Sequence, residues 1–190
     1  MGMYVYKMFN PGLVCRDYQF KEGVNECEHA TCARNGFHAA ENPLDCLSYY
    51  GDFDKSECWL CYADGEVHED GSDSKISCTR LEILRRLGKV EYLAEALRYM
   101  IRHPKRPWSS HVEINHGSVH SNGMVIVRGQ EPLARGTRVG DLLALAKEAP
   151  GTGEVIEVGL YRIDGEELKP GVYYDIRGNE RERREAIVCD

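Results

Sequence analysis

Residues 35–51 read NGFHAAENPLDCLSYYG, and how this stretch folds decides the class of the protein. Asn42 has a side-chain oxygen suited to capping a helix, Pro43 fits the first helical position, and Asp45 puts a negative charge in the first turn. The spacing predicts a helix through LDCLSYY, stopped at Gly51, with Leu44, Leu47 and Tyr50 toward the core. Before it, GFHAA reads as a strand that carries His38. A strand running into a capped helix, inside a chain otherwise rich in strand patterns, indicates an α+β fold. The stretch also crowds a histidine, a cysteine, two tyrosines and two acids into one place, so a reaction site must be weighed against a well-capped turn.

Outward from this unit, MYVYKMF is a β-rich opening strand ended by NPG, and LVCRDYQFKEG is extended as far as Gly23. VNECEHATCARNG reads as irregular or a short helix. SECWLCYADGEV reads as a strand entering an acidic turn at DGEVHEDGSDS, and KISCTRLEILRRL as a strand leading into a helix. KVEYLAEALRYMIRH, residues 89–103, is the clear amphipathic helix: Val90, Leu93, Ala94, Leu97, Met100 and Ile101 form an apolar stripe, and Pro104 stops it. HPKRPWSS then marks a boundary between an N-terminal mixed-sheet unit, 1–104, and a smaller β-rich unit, 105–190. In the second, HVEIN and MVIVRG read as strands. TRVGDLLALAKEA predicts a helix over about 138–148 with Leu142, Leu145 and Ala146 on one face. EVIEVGLYRIDGEELKPGVYYDIRG predicts a strand, an Asp-Gly hairpin turn and a second strand, and NERERREAIV a solvated helix or frayed end.

Composition places the 190-residue chain among globular proteins: 42% hydrophobic, 29% charged, formal charge −7. No apolar run is long enough to span a bilayer, and MGMYVYKMFNPG lacks the basic and apolar regions of a secretory signal, so a cytoplasmic setting with reduced thiols is expected. The charge is uneven. Residues 1–88 carry 15 acids against 9 Lys and Arg, whereas residues 89–190 are nearly balanced. Such an acidic half argues against direct nucleic-acid binding and suits a basic protein surface.

Seven of the eight cysteines lie in the first half, so zinc has to be considered. In CWLC, however, a strand would turn Cys58 and Cys61 to opposite faces, and WL is not the turn of a zinc knuckle. CEHATC adds Cys27, His29 and Cys32, and HVEINHGSVH adds His111, His116 and His120, of which 111 and 116 fall on opposite strand faces and 116 and 120 on the same one, a weak metal pattern. The expectation is no metal site, with the cysteines acting as small buried hydrophobes. No Gly-rich phosphate loop, Ser-His-Asp signature or dinucleotide fingerprint is present.

YKMFN, CRDYQFKEG, CARNGFHAAENPLDCLSYY and DSKISCTRLEI together resemble an uncharacterised domain of phage and prophage proteins, with a fainter echo in LKPGVYYDIRG. That resemblance implies a mobile-element origin and no established activity. NGFHAAENPLDCLSYYG also resembles the segment of ADP-ribosyltransferase-like folds in which two aromatic groups sandwich the nicotinamide of NAD. The second resemblance implies NAD contacts at His38 and Tyr49. It puts Lys7 where such enzymes carry the His or Arg that holds the NAD ribose, and leaves Arg16 and Glu82 as candidate catalytic residues. Two functions are therefore expected to compete. One is a phage-type accessory protein, possessing no cofactor, that binds a host protein or complex in the bacterial cytoplasm, in the manner of anti-defence, anti-CRISPR-type inhibitors. The other is an NAD-dependent ADP-ribosyltransferase-like enzyme or its degenerate relative.

Overall fold

In the opening strand, alternate side chains take opposite faces, so Val5, Lys7 and Phe9 share one side and Tyr4, Tyr6 and Met8 the other. The computed structural model describes residues 2–31, 35–69, 71, 73–106 and 108–182, and within these the chain is mixed α+β and mostly strand. It divides into two units, Met1–Tyr99 and Met100–Asp190.

The first unit contains β1 (Met3–Phe9), the short hairpin of β2 (Val14–Cys15) and β3 (Tyr18–Gln19), β4 (Gly23–Glu26), β5 (Phe37–Ala40), β6 (Glu57–Glu69) and β7 (Lys75–Leu87). A 3-10 turn at Pro43–Cys46 runs into α1 (Leu47–Tyr50), and a second 3-10 turn covers Phe53–Lys55. All pairings are antiparallel. β1 lies along β6 from Met3 opposite Ala63 to Phe9 opposite Glu57. β6 and β7 form a long hairpin, β7 pairs with β5, and β5 returns to β1 through Tyr6 opposite Ala40. These four strands therefore close into a ring, with β4 added at one edge of β7.

The ring encloses a core in which Val5, Phe9, Phe37, Trp59, Cys61, Ile76, Cys78, Leu81 and Ile83 pack together. Leu13 and Phe20, brought in by the β2–β3 segment, join that core, and Phe20 meets Phe9 and Phe37 edge-on with ring centroids 5.1 Å apart in each case. On the outer face, α2 (Lys89–Arg102) packs over β1: the Tyr6 hydroxyl donates to Glu95 at 2.8 Å, and the Tyr92 hydroxyl donates to the Pro43 carbonyl at 3.0 Å. The stripe expected from sequence is rotated. Tyr92 and Ala96 are fully buried, while Val90 is 41% and Ile101 47% exposed.

Two readings of this half change. Asp64-Gly65 is no turn: the strand continues to Glu69, and the register slips between Asp64 and Val67 as a bulge. Gly65 has φ +76, and a Cβ there would fall 2.2 Å from Thr79 Oγ1, so the bulge needs glycine. KISCTRLEILRRL is strand throughout rather than strand then helix, because β7 is paired on both sides.

The second unit contains β8 (Glu113–Ser118), β9 (Met124–Arg135), β10 (Leu142–Glu148), β11 (Val155–Arg162), β12 (Tyr173–Tyr174) and β13 (Glu180–Arg181). β8, β9 and β10 run parallel, with Glu113 beside Val127 and Leu142 beside Met124, so each return passes through a short arc with no crossover helix. β11 then adds antiparallel to β10. The helix expected over 138–148 is thus the strand β10. It lies between β9 and β11, and Leu142 through Ala146 are all buried. A strand buried on both faces carries a continuous apolar run, which periodicity cannot separate from a buried helix. The expected hairpin over 154–178 is also absent: β11 pairs with β10, whereas β12 pairs with β9 and β13. Arg128 is 2% exposed and is satisfied by Glu148 at 2.6 Å, by the carbonyls of Pro104 and Gly153, and by the Trp108 ring. Residues 183–190, Cys32 among the cysteine motifs, and Cys189 lie outside the described residues.

Candidate functional site

The helix start at ENPLD forms as a linked cap. Asn42 Oδ1 accepts from the Leu44 N–H at 3.1 Å. The Asp45 carboxylate reaches across to β7 and accepts from the Ser74 N–H at 3.1 Å and its hydroxyl at 2.7 Å, while Ser74 Oγ accepts from the Asn42 N–H at 2.8 Å. The turn is 3-10 rather than α over Pro43–Cys46, and the α-helix proper is only Leu47–Tyr50, closed by Gly51 at φ +61. Of the side chains in this stretch that suggested chemistry, Asp45 is therefore committed to holding the turn against the sheet.

Lys7 is the exception to ordinary core chemistry. It sits on the inward side of β1 between Val5 and Phe9, and is 5% exposed. Its ammonium donates to the His38 carbonyl at 2.6 Å and approaches Cys15 Sγ at 3.7 Å. The Phe9 and Phe20 rings lie with centroids 5.3 and 5.1 Å from Nζ. Among the described residues no carboxylate stands within ion-pair distance of it. The charge reaches nearby thiols: burial pushes Cys46 up to about 12, and Lys7 draws it back only in part. Cys61 and Cys58 are likewise held protonated, chiefly by burial, and Cys78 is pushed up to about 12 by the same cause. Tyr50, half-buried at the end of α1, is hydrogen-bonded to Cys15, and burial with that bond pushes its phenol upward.

The residues nominated from sequence are distributed as follows. His38 is half-buried in β5, and alternation turns its side chain away from Phe37 and Ala39, which belong to the ring core, hence away from the Lys7 ammonium that its carbonyl binds. Tyr49 is 57% exposed. Its hydroxyl donates to Asp73 at 3.0 Å and accepts from Lys75 at 3.3 Å, and the Lys75 ammonium lies 5.4 Å from its ring centroid. Burial first, then its two hydrogen-bond partners with opposing effects, leave the Tyr49 phenol raised. Arg16 is exposed at a positive φ of 53° in the turn between β2 and β3. Glu82 faces outward, because its neighbours Leu81 and Ile83 belong to the inner core. Lys7 and Glu82 are thus on opposite sides of the ring wall.

That outer wall holds a second arrangement. Tyr4, Tyr62, Glu82 and Val24 are successive cross-strand partners on β1, β6, β7 and β4. Tyr4 is 65% exposed and meets Tyr62 edge-on at 5.3 Å. In the next row Asp64, Arg80 and Glu26 are partners, and Arg80 is shared between Glu26 at 3.5 Å and Glu82 at 3.9 Å. The wall is an aromatic pair fringed by three carboxylates with one arginine among them. Sequence reasoning passed over Tyr4, Tyr62 and Cys15 as site residues. The signal for Tyr4 was the two-residue period of MYVYKMF, which puts it outward and sets Lys7 in phase with the core.

Residues 3–95, from the first residue of β1 to Glu95 of α2, match the model of a family described as a domain of unknown function, DUF7666. No curated protein matches the chain, and no solved structure does.

Proposed function

We propose that this chain is a phage- or prophage-encoded accessory protein that acts by binding a host macromolecule, in the manner of anti-defence inhibitors of the anti-CRISPR type. The contact is carried by the outer wall of the first unit. The observation behind it is the exposed Tyr4–Tyr62 pair beside Glu82, Asp64 and Glu26. Tyrosines anchor interfaces at low entropic cost, and a fringe of carboxylates selects a partner surface bearing Lys or Arg, which can also stack on the rings. The acidic balance of residues 1–88 supports the same partner chemistry, and the resemblance of YKMFN, CRDYQFKEG and CARNGFHAAENPLDCLSYY to a phage-type domain supports the origin. No helix among the described residues is long and apolar enough to cross a membrane. The test is affinity capture from a bacterial host lysate with the intact chain and with Tyr4→Ala and Glu82→Lys. Recovery of one stoichiometric partner that both variants lose supports the proposal.

A second reading, an NAD-dependent ADP-ribosyltransferase-like enzyme or a degenerate relative, draws on β5 entering α1 with His38 and Tyr49 in the expected order. Three placements count against it. Lys7 is sealed inside the ring, Glu82 is on the opposite side of the wall, and an ammonium already lies over the Tyr49 ring. Titration calorimetry with NAD distinguishes the two: saturable heat that Tyr49→Ala removes would favour the enzyme.

A further inference from the structure

A buried ammonium normally has a carboxylate beside it, because desolvating an unpaired charge is costly. Lys7 has instead a backbone carbonyl, two aromatic rings and a thiol. That thiol belongs to Cys15, which is half-buried on β2 and packed against the ring core. Of the two reactants, one is therefore reachable from solvent and the other is aimed at it from within. Cys46, Cys58, Cys61 and Cys78 are all buried, so small oxidants meet Cys15 before them.

We propose that Lys7 and Cys15 are a modification site, at which hydrogen peroxide converts the pair into a direct Nζ–Sγ bond. In the first step the sulfur attacks peroxide, the O–O bond breaks, and water leaves. Sulfur is oxidised by two electrons to the sulfenic acid and peroxide is reduced. In the second, the Lys7 ammonium gives one proton to solvent, the freed nitrogen lone pair attacks Sγ, the S–O bond breaks, and the oxygen departs as water with a second nitrogen proton. The balance is one ammonium, one thiol and one peroxide in, and one sulfenamide, two waters and one proton out. Sulfenic acids condense in this way with backbone nitrogen, and here a side-chain nitrogen is already 3.7 Å from the sulfur. The four-carbon stem of lysine supplies the movement needed. The product nitrogen is neutral, so the bond also removes the uncompensated charge from the interior. Because β2 belongs to the segment that supplies Leu13 and Phe20 to the core, the link fastens that segment to β1.

The experiment treats the full chain with hydrogen peroxide, blocks remaining thiols, and digests with trypsin. The expected product is one peptide spanning residues 1–16, uncut at Lys7 and lighter by two hydrogens than the linear sequence. Fragment ions separate any methionine oxygens from the Lys7–Cys15 pair. Treatment with a phosphine reductant restores cleavage at Lys7 and alkylation of Cys15. Lys7→Met and Cys15→Ser each abolish the product, and the conservative Cys15→Ser keeps the test valid should Lys7→Met fold poorly. Three results overturn the proposal: Cys15 carrying one or more oxygens while trypsin still cuts at Lys7, Cys15 joined to another cysteine, or an oxygen retained between Nζ and Sγ.

Discussion

The Lys7 ammonium donates to the His38 carbonyl across 2.6 Å, and this bond spans the narrowest seam of the ring, where β1 and β5 share the single register pair Tyr6–Ala40. It joins a side chain of one strand to the backbone of its neighbour, where ladder hydrogen bonds are few. Lys7→Met should therefore cost roughly 1–3 kcal/mol, the penalty for a buried carbonyl left without its donor, offset in part by removal of the charge. Lys7→Ala should cost more, because it also empties the space filled by the stem. Urea unfolding followed through Trp59, which is part of the ring core, measures both. Lys7→Met less stable than Lys7→Ala would contradict this account of the seam.

Asp45 accepts from both the N–H and the hydroxyl of Ser74, and so ties the 3-10 turn to the start of β7. Asp45→Ala should destabilise the first unit by roughly 1–3 kcal/mol, since two donors lose their acceptor. Asn42→Ala should cost about 1 kcal/mol, the usual value of a helix cap. The Asn42 side-chain amide also donates to the Asp45 carboxylate at 3.5 Å, so the double variant should cost less than the sum of the singles. Strict additivity in urea melts would show that the cap is not a connected unit.

Asp141 is 1% exposed and accepts from the Thr137 N–H at 2.8 Å, its hydroxyl at 3.0 Å and the Arg138 N–H at 3.1 Å. Burial opposes ionisation, yet these donors prevail and hold the carboxyl below its ordinary value. A carboxyl lowered by folding contributes stability that is present above the unfolded value, near pH 4, and is lost as pH falls through the folded value. Asp164 and Asp175 are lowered too, mainly through backbone N–H donors, and act in the same direction. Acid titration of a Trp59→Phe variant, in which Trp108 remains to report the second unit, should show its midpoint of urea unfolding falling below about pH 4. Asp141→Asn should lower stability at neutral pH and flatten the acid dependence. An unchanged acid profile in that variant would rule Asp141 out as a contributor.

Thiol accessibility follows the ring. Cys15 and Cys27 are half-buried, whereas Cys46, Cys58, Cys61 and Cys78 are buried, with their thiols pushed up chiefly by desolvation. Burial raises Cys27 as well. Among the described cysteines a maleimide should label Cys15 and Cys27 under native conditions, and the other four only on unfolding, as read by peptide mass spectrometry. Labelling of Cys61 or Cys78 at the rate of Cys15 would mean that the ring opens.

The local grammar of the chain was legible where one residue type has one physical use. The Asn42-Pro43 start, the Gly51 stop, the GFHAA strand and the outward alternation of Cys58 against Cys61 all follow from such rules. What was not legible depended on neighbours distant in sequence. LLALA, 142–146, has the composition of a helix and becomes a strand because β9 and β11 pair with both its edges. Asp64-Gly65 has the composition of a hairpin turn and becomes a bulge because Thr79 approaches it from β7. At the candidate site, the inward phase of Lys7 could be read from MYVYKMF, but its approach to Cys15 depends on the return of the β2–β3 hairpin, which no spacing rule supplies.

The central claim is that the outer wall of the ring binds a basic host surface. Affinity capture from host lysate, scored for the intact chain beside Tyr4→Ala and Glu82→Lys with their folds checked by circular dichroism, tests it most directly. The account predicts one stoichiometric partner, captured less well as salt is raised, and lost by both variants while Tyr49→Ala retains it. Recovery of no stoichiometric partner, or of the same partner by all three variants, would contradict it.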